Sequence, residues 1–170
     1  MSGVTIRRAR PDDADFLLEL ANDDDVRPFL SPKSALGREA LLEEIAQSER
    51  EPEAFGRFVI DVDGERAGSM AFHRSNERSG IAWLSRLAVA PRFRGRRVAD
   101  DAARLLQRML FEELGYHRLE MEIYGFNERA QAHAERVGWV REGVKRRAYR
   151  YGDDWVDSVM YALLEDDLGG

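Results

Sequence analysis

Leu87-Ala88-Val89-Ala90-Pro91-Arg92-Phe93-Arg94-Gly95-Arg96-Arg97-Val98-Ala99-Asp100-Asp101-Ala102 joins an apolar run to a helical run through a turn of four arginines and one glycine. Residues 81–89 are mostly apolar, which predicts a central strand covered on both faces. Pro91 stops that strand. From residue 98 the apolar period becomes 3.6, with Val98, Ala102, Leu105, Leu106, Met109 and Leu110 on one stripe and Gly115 as its stop. Gly95 lets a backbone come close to a ligand. The free amides of the first helical turn, aligned with the helix dipole, favour an anion there. Arginines at the rim add bidentate phosphate contacts. Two readings stand together: a polyphosphate cradle, and a solvated arginine-rich turn. The order strand, glycine loop, helix favours the cradle. No Gly-Lys-Ser/Thr follows, so it is not a Walker loop, and one glycine stands where a dinucleotide fingerprint needs three.

Outward from this segment, residues 4–8 read as a first strand and 12–21 as a helix with acids in its first turn. Asp23, Asp24 and Asp25 break that pattern into a loop, and residues 34–50 read as a second helix. Residues 55–62 and 66–73 flank Asp63-Gly64, a type I′ hairpin signal. Residues 117–123 alternate, with Leu119, Met121 and Ile123 on one face and Glu120 and Glu122 on the other. Asn127 caps a helix that runs to Val137 before Gly138. Residues 139–150 and 155–163 form a closing hairpin. Hairpins beside one strand–helix–strand unit predict an α+β fold, with a mixed, mostly antiparallel sheet. One domain over residues 1–170 suits the length.

The 170 residues carry 26 cations and 32 anions, a net charge of −6. That argues against a general nucleic-acid coat and against a polybasic membrane anchor. All the cations except Lys33 and Lys145 are arginines. Four of them crowd into the turn at 92–97, so the net value excludes only a diffuse polyanion-binding surface. Cysteine is absent, which removes disulfides, thiolate zinc sites and a cysteine nucleophile and fits a reducing cytoplasm. No apolar run reaches the roughly 20 residues of a membrane helix, and no targeting segment opens the chain.

The pattern Arg92-x-x-Gly95-x-Arg97 after Leu87-Ala-Val resembles the acetyl-CoA-binding motif of the GNAT N-acetyltransferase superfamily, (Arg/Gln)-x-x-Gly-x-(Gly/Ala). Asn127-Glu-Arg-Ala-Gln-Ala-His-Ala-Glu-Arg-Val-Gly-Trp resembles the family's Asn-x-x-(Ala/Ser)…Glu-Lys-x-Gly-Phe segment. Residues 141–161 are similar to the closing hairpin of the RimJ/RimL branch, and Thr5-Ile-Arg-Arg-Ala…Asp13 to the usual opening. The resemblance runs through nearly the whole chain in the expected order.

It implies a GNAT fold in which the strands at 81–89 and 117–123 splay apart, with acetyl-CoA as co-substrate in the gap. Backbone groups of Leu87, Ala88 and Val89 would hold the pantetheine and polarise the thioester carbonyl. Amides of Arg92, Arg94, Gly95, Arg96, Arg97, Val98 and Ala99 would take the pyrophosphate, and Asn127 would contact the pantetheine arm. Two positions depart from the pattern. Arg97 replaces the last Gly/Ala, and a negative φ would keep its backbone usable. Ala134 stands where many members carry a tyrosine acid, so the acid is another group or a water.

The implied activity is transfer of acetyl to a primary amine, without an acetyl-enzyme. The alternative is a non-catalytic acyl-CoA sensor on the same fold. Glu122, with Glu120 on the same strand face, is a candidate base through water; the competing reading is an ion-paired face. His133 is the candidate acid, against a packed histidine. His73, His117 and His133 show no metal-ligand spacing, so no catalytic metal is expected. Ser85, Ser158 and Asp157 make no triad. The loop at 23–25 would attract a cationic acceptor such as a peptide N-terminus, a polyamine or an aminoglycoside-like amine, or is simply solvated. Tyr149, Tyr151, Trp155 and Trp83 line the acceptor cleft or pack as cross-strand pairs. A second copy of the chain, in a homodimer, is the remaining candidate partner.

Overall fold

A computed structural model describes residues 3–30 and 37–169. Among these, the strands form one sheet in the order β1-β2-β3-β4-β5-β7-β6. They are β1 (Val4–Arg8), β2 (Phe55–Val62), β3 (Glu65–Asn76), β4 (Ile81–Val89), β5 (Arg118–Tyr124), β6 (Val140–Tyr151) and β7 (Asp154–Leu164). All neighbours are antiparallel except β4 and β5. The helices are α1 (Ala14–Ala21), α2 (Arg38–Arg50), α3 (Val98–Arg108) and α4 (Glu128–Arg136). This is the α+β, mostly antiparallel arrangement expected.

Strand alternation divides the core between the two faces of the sheet. Phe58, Ile60, Phe72 and Leu119 pack with Val98, Ala102, Leu106 and Leu110 on the α3/α4 face. Val59 packs with Leu17, Leu41 and Ile45 on the α1/α2 face. Leu106 and Leu110 are almost fully buried, each stabilising the fold by about 1.5–3 kcal/mol. The ends of the elements follow local chemistry. Asp63 and Gly64 have φ of 50° and 84°, the type I′ turn that the Asp-Gly pair announces. Gly138, after α4, sits at φ 99°.

Three helices depart from the sequence reading by more than a residue. The first helix opens with a 3-10 turn, Pro11–Asp13, because Asp13 Oδ2 accepts the Arg10 N–H and tightens the entry. The second helix begins at Arg38, and positions 34–36 of its expected start lie outside the described residues. The long helix from Val98 changes at Met109–Glu113 to a π turn, a wider winding that shifts the apolar stripe before Gly115 ends it.

The feature that positions the site is a break in the sheet. β4 and β5 pair only at Ile81↔Arg118, Ala82↔Leu119 and Trp83↔Glu120. Beyond that, β4 stays with β3 as far as Gly68↔Val89, while β5 stays with β7 as far as Tyr124↔Ser158. The cause lies in β4. Ser69 pairs with Ala88 and Ala71 with Ser85, so β4 carries one residue more than β3, and Arg86 takes φ 59°. Such a bulge bends and twists its strand. Ser69 Oγ donates to the Arg86 carbonyl at 2.9 Å and secures the kink.

Candidate active site

One wall of the cleft is backbone. After β4 the chain makes a 3-10 turn, Pro91–Phe93, then extends at Arg94. Gly95 follows at φ 80°, with no atom within 4 Å of where a Cβ would stand. Arg97 caps α3 at φ 58°, ψ 23°, in the left-handed region, so the negative φ expected of it is corrected. Glycine reaches that conformation freely, whereas a residue with a Cβ strains by about 1–2 kcal/mol. The first helical hydrogen bond runs from the Asp101 N–H to the Arg97 carbonyl at 3.0 Å. Ahead of it, the amides of Val98, Ala99 and Asp100 have no helical acceptor. The loop has positive φ at both Gly95 and Arg97, a left-handed backbone of the kind that anion-binding nests use.

The four arginines divide. Arg92 lies over the ring of buried Phe93, its Cζ 4.4 Å from the centroid, and pairs with Glu65 at 3.0 Å. Arg96 approaches the same ring at 5.7 Å. Arg94 reaches back to the Asp25 carbonyl at 3.2 Å, and its buried Nε has no partner. Arg97 is exposed.

Behind this loop, Asp100 lies buried in the first turn of α3. It accepts from Arg136 Nε at 3.0 Å and Nη2 at 3.1 Å, and faces His133 Nδ1 at 2.7 Å. Burial pushes its carboxyl up, but the bonds from Arg136 and His133 outweigh that and hold it below the usual range. For His133 burial outweighs the pull of Asp100, so its ring titrates below an ordinary histidine. A neutral ring that gives its Nδ1 proton to Asp100 has none on Nε2 to donate. The contact with Asp100 ties α4 to α3, the packed setting that competed with the acid role. Asn127 Oδ1 accepts the Ala130 N–H at 3.1 Å and caps α4 as expected. Ala134 is fully buried in the core.

The other wall is made of side chains. Glu122 lies in the part of β5 that has left β4. It accepts from Lys145, from the Tyr149 hydroxyl at 2.6 Å and from Ser158 Oγ at 2.8 Å. Burial raises its carboxyl, and these three donors more than reverse the effect, leaving it below the usual range. The same contact raises the Tyr149 hydroxyl. Glu120 pairs with Arg118 at 3.3 Å. Around Glu122 stand Tyr124, Phe126, Tyr149 and Tyr151, with Tyr124–Phe126 centroids 5.3 Å apart and Phe126–Tyr151 4.9 Å. Tyr149 and Tyr151 thus belong to the cluster. Trp83 instead pairs across β3 and β5 beside His73 and Glu120, and Trp155 is 59% exposed next to Arg150.

Residues 23–30 connect the two walls. The Asp25 carbonyl takes Arg94, the Pro28 carbonyl takes the Tyr151 hydroxyl at 2.8 Å, and Phe29 meets Phe126 at 6.1 Å. Asp23 Oδ1 caps the Asp25 N–H at 2.8 Å, while Asp24 and Asp25 are exposed. The sequence reading missed Tyr124, Phe126 and Phe29. Tyr124-Gly125-Phe126 before the capping Asn127 was the available signal. It also missed the bulge at Arg86, which no residue type announces. Among the described residues no group of three or more His, Asp or Glu side chains is placed to hold a metal, and no helix is long and apolar enough to cross a membrane.

Residues 4–140 match the family described as "Acetyltransferase (GNAT) domain". YdaF of Bacillus subtilis (strain 168), provisionally a ribosomal N-acetyltransferase, is 27% identical over 98% of this chain and 94% of its own. Spermidine N-acetyltransferase from Vibrio cholerae, solved with CoA and spermine, superposes with a TM-score of 0.86 at 20% identity over 99% of both chains. RimL, a ribosomal L7/L12 alpha-N-protein acetyltransferase solved with coenzyme A, superposes at 0.84 with 18% identity, over 98% of this chain and 97% of that one. Joined to the splayed sheet and the glycine loop at its mouth, the match over most of the chain places it in the GNAT acetyltransferase family, as an N-acetyltransferase.

Proposed function

We propose that the chain moves the acetyl group of acetyl-CoA to a primary amine in a ternary complex, and that residues 1–170 act as one such domain. The observation that carries this is the opening between β4 and β5 with the free amides of the α3 turn at its end. The residues fit the group. Gly95 leaves its outer side open, and the amides of Val98, Ala99 and Asp100 have no helical acceptor at the positive end of α3. Arg94 and Arg97 add charge at the rim. Bound acetyl-CoA supplies an acetyl group activated as a thioester.

The chain's residues do the rest. Backbone N–H groups of the bulged segment Leu87, Ala88 and Val89 donate to the carbonyl oxygen as charge develops there. Asn127 has its Oδ1 committed to the helix cap, which leaves Nδ2 for the pantetheine arm. The acceptor, an ammonium in water, gives one proton to solvent and arrives between the walls as a neutral amine, which loses a second proton on attack. Its nitrogen forms the new C–N bond as the C–S bond breaks. The departing proton passes to the Tyr149 oxygen, whose own proton moves along its hydrogen bond to Glu122. Lys145 balances Glu122 before transfer, and the raised Tyr149 hydroxyl stays protonated at neutral pH as a relay requires. Sulfur takes its proton from water, since Ala134 offers none. With no cysteine in the chain, no thiol is available for an acetyl-enzyme.

Release of free CoA from acetyl-CoA, followed across a panel of peptide N-termini, polyamines and amino acids, tests the reading. The expected result is release with at least one acceptor class and no acetylated protein after rapid quench. Tight acetyl-CoA binding with no release for any amine overturns it in favour of a sensor.

A further inference from the structure

A second polar site lies on the α1/α2 side of the bulge. Arg57 of β2 is 5% exposed, and its Nε and Nη1 are buried without a hydrogen-bond partner. Glu44 of α2 is its nearest carboxylate, with Oε2 at 3.5 Å from Nε, and that same oxygen is taken by Arg86. Two guanidiniums therefore share one carboxylate under α2. Buried donors are nearly always satisfied, and an unmade bond to a charged group is costly. Burial, and then the charge of Arg86, bring the Arg57 guanidinium down to about 10 against the pull of Glu44. The excess positive charge borders a cavity of about 10 Å³ walled by Leu17, Leu20, Ser69 and Ala88. That is room for one water-sized group. A water there would accept from Arg57 and leave the charge unbalanced. One oxygen of a carboxylate satisfies both needs.

The position matters as much as the charge. Arg86 and Ala88 lie on the bulged segment assigned to the acetyl carbonyl, and they face α1 rather than α3. Ser69 gives its proton to the Arg86 carbonyl, whereas Arg57, which also lines the cavity, keeps two buried donors without a partner. We propose that the pocket between Arg57 and Arg86 holds the carboxylate of the amine acceptor, which makes amino-carboxylates the acceptor class. This rests on the acetyl-transfer reading above and names the substrate class of that site. It also sets the chain apart from an acceptor such as spermine, which has no carboxylate.

The test is calorimetric titration of CoA-saturated protein with matched pairs that differ only by a carboxylate: L-lysine against cadaverine, L-alanine against ethylamine, and L-phenylalanine against phenethylamine. In at least one pair the amino acid should bind about tenfold tighter or more, as a charge-assisted hydrogen bond implies. Arg57→Met should reduce that preference to under about threefold and leave the des-carboxy amine unchanged. Glu44 keeps Arg86 in this variant, so the fold should hold, which the melting temperature checks. If the variant does not fold, the wild-type pairs decide alone. Sodium acetate should compete with the amino acid but not with its amine. No carboxylate preference in any pair, no binding of any member, or a preference that survives Arg57→Met overturns the proposal. Acetate or chloride binding that leaves amino-acid affinity untouched assigns the pocket to a free anion and also overturns it. Binding is read without turnover, so failure of acetyl transfer shows separately as absent CoA release.

Discussion

The two walls of the cleft are built from different materials. The β4 wall works through backbone: a bulge at Arg86, a glycine at φ 80°, and helix amides that no helical carbonyl can take. The β5 wall works through side chains: Glu122 held by Lys145, Tyr149 and Ser158, inside a ring of aromatics. A backbone site tolerates almost any side chain that leaves φ and approach intact. A side-chain site depends on atoms that several elements deliver to one point. The walls should therefore fail differently under mutation.

The largest effect expected is Gly95→Asp, which puts a Cβ at φ 80° and a negative charge beside the anion site. Acetyl-CoA binding should fall by more than about a hundredfold, in a protein whose circular dichroism is unchanged. Wild-type affinity in this variant would remove the pyrophosphate site from the loop. Next comes Glu122→Gln, which breaks the relay on the other wall. Its kcat should drop by about a hundredfold with the acetyl-CoA KM little changed, and Tyr149→Phe should add little on top. A loss confined to KM would make Glu122 a mere packing group.

Gly68→Ala reaches the β4 wall from behind. Its Cβ would stand 2.3 Å from the Ala88 carbonyl oxygen, so β4 must shift. A stability loss of about 1–3 kcal/mol should accompany a higher KM for acetyl-CoA. The mildest change is Arg97→Gly. The left-handed cap is relieved of strain, and acetyl-CoA affinity should stay within about threefold, because the backbone rather than the guanidinium does the binding. A larger loss would show that the side chain holds phosphate. Acid pH loosens the support behind the β4 wall. Asp100 lies below its ordinary pKa, so its stabilisation is complete above the normal carboxylate range and is lost as pH falls through and below it. Asp100→Asn should flatten that acid limb of the melting curve.

The β4 wall was legible because each of its parts is local. Pro91 after an apolar run, Gly95, and the 3.6 period from Val98 lie within a few residues of one another, and local sterics fix what they do. The cap at Asn127 and the turn at Asp63-Gly64 were legible for the same reason. The setting of His133 was not legible, because its surroundings come from another helix. Asp100 is 33 positions away, and only packing of α4 on α3 makes that ring a buried tie. Strand alternation put Glu122 on one face with Glu120, but its donors at 145, 149 and 158 belong to a hairpin whose register sequence spacing does not specify. The bulge at Arg86 carries no glycine, and its left-handed turn appears only when β3 and β4 are paired.

From its own sequence this chain determined the order of elements, the mixed sheet and the glycine turn ahead of α3. Period, turn residues and capping act over one or two turns of chain, where neighbours along the sequence are also neighbours in space. Tertiary structure decided what stands opposite that turn. It opened the sheet by one extra residue in β4, closed the aromatic cluster across residues 23–30, and buried Arg57 and Arg86 against a single carboxylate. Those outcomes depend on which strands pair and which helix covers them, and charge and burial acquire their strength only once distant residues share one dry space.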